Sequence, residues 1–266
     1  MNDLDTPYRL DQRDVDAFRQ NGHVLLRGLG TPATMAHYQP IIHAASERFN
    51  TERRALADRD TYGKAFLQIM NLWRRDRQVA EFVLARRFAD VAARLLGVEK
   101  VRLYHDQALY KEAGGGPTPW HQDQYYWPLD TTDTITMWMP LVDITREMGM
   151  LDFASGSQSD GRITDTAISD DSERIFEDYV RDRGYDVTEQ TAMRAGDATF
   201  HQGWTIHRAG PNASPTTTRE VMTVIYFADG ARVTAPENDA QENDRQSWLA
   251  GYEAGALAES ELNPVL

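Results

Sequence analysis

The chain has 266 residues, 41% hydrophobic and 10% aromatic, which is enough apolar material for a sizeable core and unlike a disordered tail. Its 28 Lys and Arg stand against 41 Asp and Glu, a net charge of −13; so acidic a surface repels phosphate backbones and anionic lipid and argues against nucleic-acid or membrane binding. The absence of cysteine excludes disulfides, thiolate nucleophiles, iron–sulfur clusters and Cys-ligated zinc.

The start, Met1-Asn2-Asp3-Leu4-Asp5, is acidic where a signal peptide would be basic and then apolar. No apolar run approaches the about 18 residues of a membrane span, so a soluble, cytoplasmic protein is expected. Asp11 reads as the N-cap of a first helix, with Leu10 and Val15 as a hydrophobic staple and Gly22 as the C-terminal cap. His23 to Leu26 follow as a short strand. Thr31-Pro32 opens a second helix, in which Met35, Tyr38, Ile42, Ala45 and Phe49 keep helical spacing. A third helix is expected from about Asp76 to Leu96.

From Lys100 the pattern changes. Val101 to Lys111, Thr134 to Val142, Ala198 to Ile206 and Arg219 to Phe227 are rich in β-branched and aromatic residues and read as strands. The polar stretch between the second and third of these holds one helix, near Asp171 to Arg183, and the acidic C-terminal stretch is expected to dock through Trp248 and Tyr252. Helices over about 10–97, strands over about 100–230 and no linker between them predict one α+β domain spanning 1–266.

The chemistry is concentrated in Trp120-His121-Gln122-Asp123. Alternate residues of a strand face one way, so His121 and Asp123 can point at one ion, and a further His would complete a facial triad for a first-row divalent metal. Alone the motif says little, because with seven His and 41 acidic residues a His-x-acid arises by chance. Downstream come Trp138, the strand-launching turn Gly196-Asp197, His207, Gly210-Pro211-Asn212 and Arg219. Together these resemble the phytanoyl-CoA dioxygenase family of iron(II)/2-oxoglutarate oxygenases. The resemblance extends to Asn21-Gly22, Lys111, Gly149 and Gly156-Ser157 and covers roughly 10–230.

That resemblance implies a double-stranded β-helix, a jelly-roll barrel with iron between its two sheets. It implies that His121, Asp123 and His207 hold Fe(II), that 2-oxoglutarate takes two further positions, and that one is left for dioxygen. Arg219 suits the far carboxylate of that diacid, since a guanidinium stays charged and grips carboxylate bidentately. Gln107, Gln122 and Trp138 occupy positions that line the cosubstrate. Two departures stand out. Ala209 lacks the hydroxyl often found two residues after the distal His, and Thr136 is the expected substitute; Gln158 stands where a His usually follows Gly-Ser.

His201 is a rival third ligand, but His207 is preferred because the Gly-x-Asn turn follows it. His23, His37, His43 and His105 read as surface or satisfied structural residues. Tyr125 and Trp127, continuing the His121/Asp123 alternation, and Trp204 are candidates to face a substrate, and Gly114-Gly115-Gly116 a candidate entrance flap. The implied reaction attacks a C–H bond of a small molecule while 2-oxoglutarate is decarboxylated to succinate. Hydroxylation is the first expectation, with epimerisation, desaturation or cyclisation as variants. The competing reading is a redox-silent metal-dependent hydrolase or isomerase on the same barrel; Arg219 separates the two, because a hydrolase has no use for a cosubstrate Arg.

Overall fold

Residues 3–266 are described in the structure, a computed structural model. α1 (Gln12–Asn21) ends at Gly22, whose φ of 77° lets its N–H reach the carbonyl of Phe18; only glycine adopts that conformation freely. Asp11 holds the N-cap position but makes no side-chain cap bond, its carboxylate lying instead beside Arg9 and Arg13. α2 (Pro32–Phe49) is capped by Thr31, whose hydroxyl accepts from the Thr34 N–H. After the short α3 (Thr61–Ala65), the single helix expected over 76–96 is in fact two, α4 (Arg77–Val83) and α5 (Arg86–Leu96), broken where Ala85 is extended. Phe82 and Phe88, six residues apart, would point about 120° from each other around an unbroken helix. The break brings their buried rings edge to face at 5.1 Å.

Ten strands follow in chain order: β1 (His23–Leu26), β2 (Leu67–Met70), β3 (Val101–Lys111), β4 (Thr118–His121), β5 (Thr134–Pro140), β6 (Leu151–Ala154), β7 (Val187–Glu189), β8 (Ala198–Gln202), β9 (His207–Ala209) and β10 (Arg219–Ala228). They form a six-stranded sheet, β1-β8-β5-β10-β3-β2, and a four-stranded sheet, β4-β9-β6-β7, antiparallel throughout. The expected strand Ala198 to Ile206 ends early, at Gln202, because the chain turns at Gly203 and resumes in the other sheet only at His207. A Cβ on Gly203 would lie 2.4 Å from Thr134 Oγ1, so the turn requires glycine.

The larger sheet buries one face under the helices. Met222, Val224 and Tyr226 of β10, Ile135, Met137 and Met139 of β5, and Ala198 and Phe200 of β8 join α2, α4 and α5 in the main core. Strand alternation then turns Arg219 and Thr223, Thr136 and Trp138, and Thr199 and His201 toward the smaller sheet. In β3 the alternation is reset: Ile225 pairs with His105 and Tyr226 with Leu103, leaving Tyr104 as the extra residue of a β-bulge. Beyond it His105, Gln107, Leu109 and Lys111 all face between the sheets.

α6 (Asp170–Arg183) starts at a capping box of Ser169 and Ser172. The acidic C-terminal stretch forms α7 (Asp239–Trp248), a helix not expected from the sequence. Trp248 packs as anticipated, against the cluster around Tyr104 and Trp127; Tyr252 is 37% exposed and does not dock. Among the described residues no helix is long and apolar enough to cross a membrane.

Candidate metal and cosubstrate site

β4 carries His121 directly opposite His207 of β9, with ring centroids 4.1 Å apart. Asp123 is not in the same strand, contrary to expectation: β4 ends at His121 and Asp123 opens a 3-10 turn. Gln122 between them is still extended (φ −123°, ψ 126°), so the alternation survives one residue further. The potential ligand atoms of His121, Asp123 and His207 all lie within 4.8 Å of one another. Asp123 Oδ1 is 3.5 Å from His121 Nε2 and 3.7 Å from His207 Nε2.

The protonation pattern is fixed by what the other ring nitrogens touch. His121 Nδ1 lies 2.8 Å from the carbonyl of Pro119 and His207 Nδ1 2.9 Å from that of Thr205. A carbonyl only accepts, so each Nδ1 carries a proton, and Nε2 is the ring atom that faces Asp123. Burial opposes ionisation of Asp123, but neighbouring His207 and hydrogen bonds from His121 and His201 outweigh it and hold the carboxyl well below its usual range. Burial first, then the neighbouring His121 and His201, push His207 well below the ordinary imidazole range. Two imidazoles and a carboxylate converging in a buried corner are the donor set of a 2-His-1-carboxylate iron site, and a first-row ion with bonds of about 2.1 Å fits between atoms so spaced.

His201 is not part of that set. Its Nε2 lies 3.2 Å from Asp123 Oδ2, the oxygen turned away from the other two imidazoles. Thr136, its neighbour across β5 and β8, donates its hydroxyl to the same Oδ2 at 2.9 Å. These two hold the carboxylate with Oδ1 facing inward. Thr136 is therefore committed to Asp123 and not to Arg219, as the sequence had suggested. Thr136→Val is expected to lower iron affinity about 10- to 100-fold, the usual effect of losing such a support, while leaving the ligand set intact; isothermal titration under anaerobic conditions reads it.

At the other end of the same cavity, of about 380 Å³, Arg219 of β10 pairs in register with Lys111 of β3. Both are almost fully buried, and neither forms an ion pair among the described residues. Arg219 donates Nη1 to the carbonyl of Gly149, lies over the ring of Trp138 at 5.3 Å, and leaves Nε without a partner. Lys111 Nζ donates to the carbonyl of Gly116 and lies 3.4 Å from Thr118 Oγ1. Gly149 is obligatory here: its φ is 82°, and a Cβ would stand 2.5 Å from the Gly210 carbonyl. Burial pushes the Arg219 guanidinium down to about 9; burial and then Arg219 push the Lys111 amine down to about 6. A buried guanidinium without an anion, next to an amine that burial keeps from charging, is costly and suits a carboxylate.

Thr118 lines this cavity and pairs directly across from Ala209. The hydroxyl missing from position 209 is thus supplied from the adjacent strand. Gln158, the other departure, donates its amide to the carbonyls of Arg19 and Gln20 at the end of α1, where it closes the helix.

Of the remaining sequence candidates, Gln107, Trp127 and Trp138 line the cavity. Gln122 does not. It donates to the carbonyls of Gly161 and Trp204, both at 2.7 Å, and accepts from Ile163 N, so it ties the loop behind the metal ligands. Tyr125 points away, donating to the Asp165 carbonyl, and its neighbour Tyr126 lines the cavity in its place. Trp204 lies outside the cavity wall. His105, read as a satisfied structural residue, lines the cavity with Nδ1 unpartnered among the described residues. The loop Gly114-Gly115-Gly116 is pinned by hydrogen bonds to Asn212, Glu112 and Lys64.

Comparison with known proteins agrees with this geometry. The family described as phytanoyl-CoA dioxygenase (PhyH) matches residues 18–221. A probable alpha-ketoglutarate-dependent hypophosphite dioxygenase of Stutzerimonas stutzeri is 27% identical over 157 residues, 58% of this chain and 54% of that protein, so the match spans about half of that relative. Among solved structures, the non-heme alpha ketoglutarate dependent carbocyclase SnoK superposes with a TM-score of 0.80 at 24% identity, covering 98% and 99% of the two chains. The epimerase SnoN, in complex with Fe3+, alpha ketoglutarate and nogalamycin RO, gives 0.76 at 23% identity, covering 96% and 97%. With the triad at one end of its cavity and Arg219 at the other, the chain belongs to the phytanoyl-CoA dioxygenase family, and so to the iron(II)- and 2-oxoglutarate-dependent oxygenases.

Proposed function

We propose that this protein oxidises a C–H bond of a small organic molecule, with 2-oxoglutarate as cosubstrate. The observation that carries the reading is the pairing within one cavity of a buried two-histidine, one-carboxylate set with a buried, anion-less Arg219, which has the buried Lys111 paired beside it. His121, Asp123 and His207 would hold iron(II). Arg219 and Lys111 would bind the distal carboxylate of 2-oxoglutarate, with Thr118 donating its hydroxyl. Iron(II), when bound, supplies the oxidative chemistry: one dioxygen is consumed, 2-oxoglutarate becomes succinate and carbon dioxide, and the second oxygen atom is available to the substrate. The protein's own part is position and dryness. Trp138 packs against the guanidinium and shields it, the bulged β3 sets the wall, and His201 with Thr136 keeps the carboxylate fixed.

Hydroxylation is the simplest outcome of this arrangement. The carbocyclase and the epimerase of the same fold give ring closure and epimerisation as alternatives for the same hydrogen-abstraction chemistry. A redox-silent hydrolase or isomerase would need the metal corner alone, and Arg219 and Lys111 would then be two buried basic groups without use. Anaerobic addition of iron(II) and then 2-oxoglutarate tests the assignment: a visible charge-transfer band should appear only when both are present. Its absence, with iron shown to be bound, would favour the redox-silent reading.

A further inference from the structure

The cavity has a third polar region that neither the metal nor the cosubstrate uses. α7 lays Asp244 and Trp248, four residues apart and so on one face, against the wall formed by the bulge in β3. Asp244 is 8% exposed and lines the cavity. Its Oδ2 accepts from Tyr104 Oη at 2.9 Å, but no cation pairs with it among the described residues. Beside it, His105 is 3% exposed with Nδ1 unpartnered, and its ring stands 5.3 Å from that of Trp248. Tyr104 and Trp127 continue the aromatic wall, 5.6 Å apart, and Tyr62 and Phe66 of the α3 segment close it from the other side.

A carboxylate bordered by aromatic side chains is one way in which proteins hold an organic cation. The arrangement opposes Arg219 at the cosubstrate end, so one cavity carries a positive and a negative pole. We propose that the substrate of this enzyme carries a protonated amine, bound between Asp244 and the rings of Trp248 and Trp127, with a ring nitrogen of His105 accepting one of its N–H bonds. Burial pushes His105 down to about 3, so the imidazole is a neutral acceptor and does not compete as a cation. Burial also pushes the Asp244 carboxyl up to about 7 despite hydrogen bonds from Tyr104 and Trp248, so a cation beside it would favour its ionised form. The inference rests on the oxygenase reading of the cavity, which places the reacting carbon at the triad and the amine at α7.

The test uses 2-phenylethylamine and 2-phenylethanol, which differ in an ammonium against a hydroxyl. Their binding to the protein loaded anaerobically with iron(II) and 2-oxoglutarate is read at pH 8 by saturation-transfer NMR. The amine should bind about tenfold more tightly than the alcohol. Asp244→Asn should erase that preference without changing 2-oxoglutarate affinity, and Trp248→Leu, which leaves the carboxylate in place, should reduce it. Equal binding of the two probes, no binding of the amine, or a preference that survives Asp244→Asn overturns the proposal. Because NMR binding does not depend on iron chemistry, the readouts separate. A missing charge-transfer band with an intact amine preference refutes the oxygenase reading and leaves the amine site standing; the reverse pattern refutes the amine site alone.

Discussion

Asp123→Ala is expected to abolish iron binding and turnover, and His121→Ala and His207→Ala should do the same. Asp123 is the only anionic ligand, and it is held ionised by the residues around it. Without it two imidazoles face each other at 4.1 Å with no anion to offset a divalent cation. His201→Ala behaves differently. It removes one of two hydrogen bonds to Asp123 Oδ2 and leaves all three donors in place, so iron affinity falls by about 10- to 100-fold and is not lost. Metal content after anaerobic reconstitution distinguishes the two classes. Loss of metal in His201→Ala with retention in His207→Ala would show that the third ligand is misassigned.

Arg219→Ala is expected to weaken 2-oxoglutarate by about 2–5 kcal/mol, at least about thirtyfold, while iron affinity changes little. The variant leaves a buried carboxylate without its bidentate partner, and Lys111 cannot replace that geometry. Lys111→Met should also weaken 2-oxoglutarate, and it carries a second consequence. The amine is pushed from the ordinary lysine range down to about 6 by burial and then by Arg219. The unfolded chain therefore takes up a proton as pH falls below about 10.5, whereas the empty folded protein does so only near 6. Stability is lost across that window, and the loss is complete below about 6. Lys111→Met removes this penalty, so the empty variant should melt higher than the parent at pH 7, with a smaller difference at pH 10. Thermal denaturation at the two pH values reads the effect, and an unchanged difference would show that Lys111 is not held neutral. A residue that destabilises the empty fold and is needed when the cosubstrate arrives is the usual signature of a binding site.

The sequence made the long strands and the metal corner legible, for a physical reason. Val101–Lys111 and Arg219–Ala228 are long enough to show their composition, and their register brings Lys111 and Arg219 together. β2, β4, β6 and β7 have three or four residues each, too few for alternation to be seen, although β4 carries His121. Extending strand alternation past Asp123 suggested Tyr125 and Trp127. The chain instead enters a 3-10 turn, which exchanges Tyr125 for Tyr126 at the cavity. The bulge at Tyr104 left no sequence signature, so the inward turn of His105 was invisible. The expected role of Thr136 was right in its face and wrong in its partner, since alternation gives direction but not which polar atom is nearest. Lys111 offered one usable signal, a charged residue closing a strand after Ala108, Leu109 and Tyr110 and next to a Gly-rich loop. The contribution of α7 to the cavity arises only from tertiary packing.

The most direct test is the fate of 2-oxoglutarate. Purified protein, iron(II), dioxygen and 2-oxoglutarate should yield succinate and carbon dioxide in equal amounts, slowly without substrate and faster with it. Asp123→Ala should yield none, and Arg219→Ala should approach the parent rate only at much higher 2-oxoglutarate. Replacing iron(II) by zinc(II) should stop the reaction. Succinate formation that persists with zinc, or its absence from the iron-loaded wild-type protein, would contradict the account.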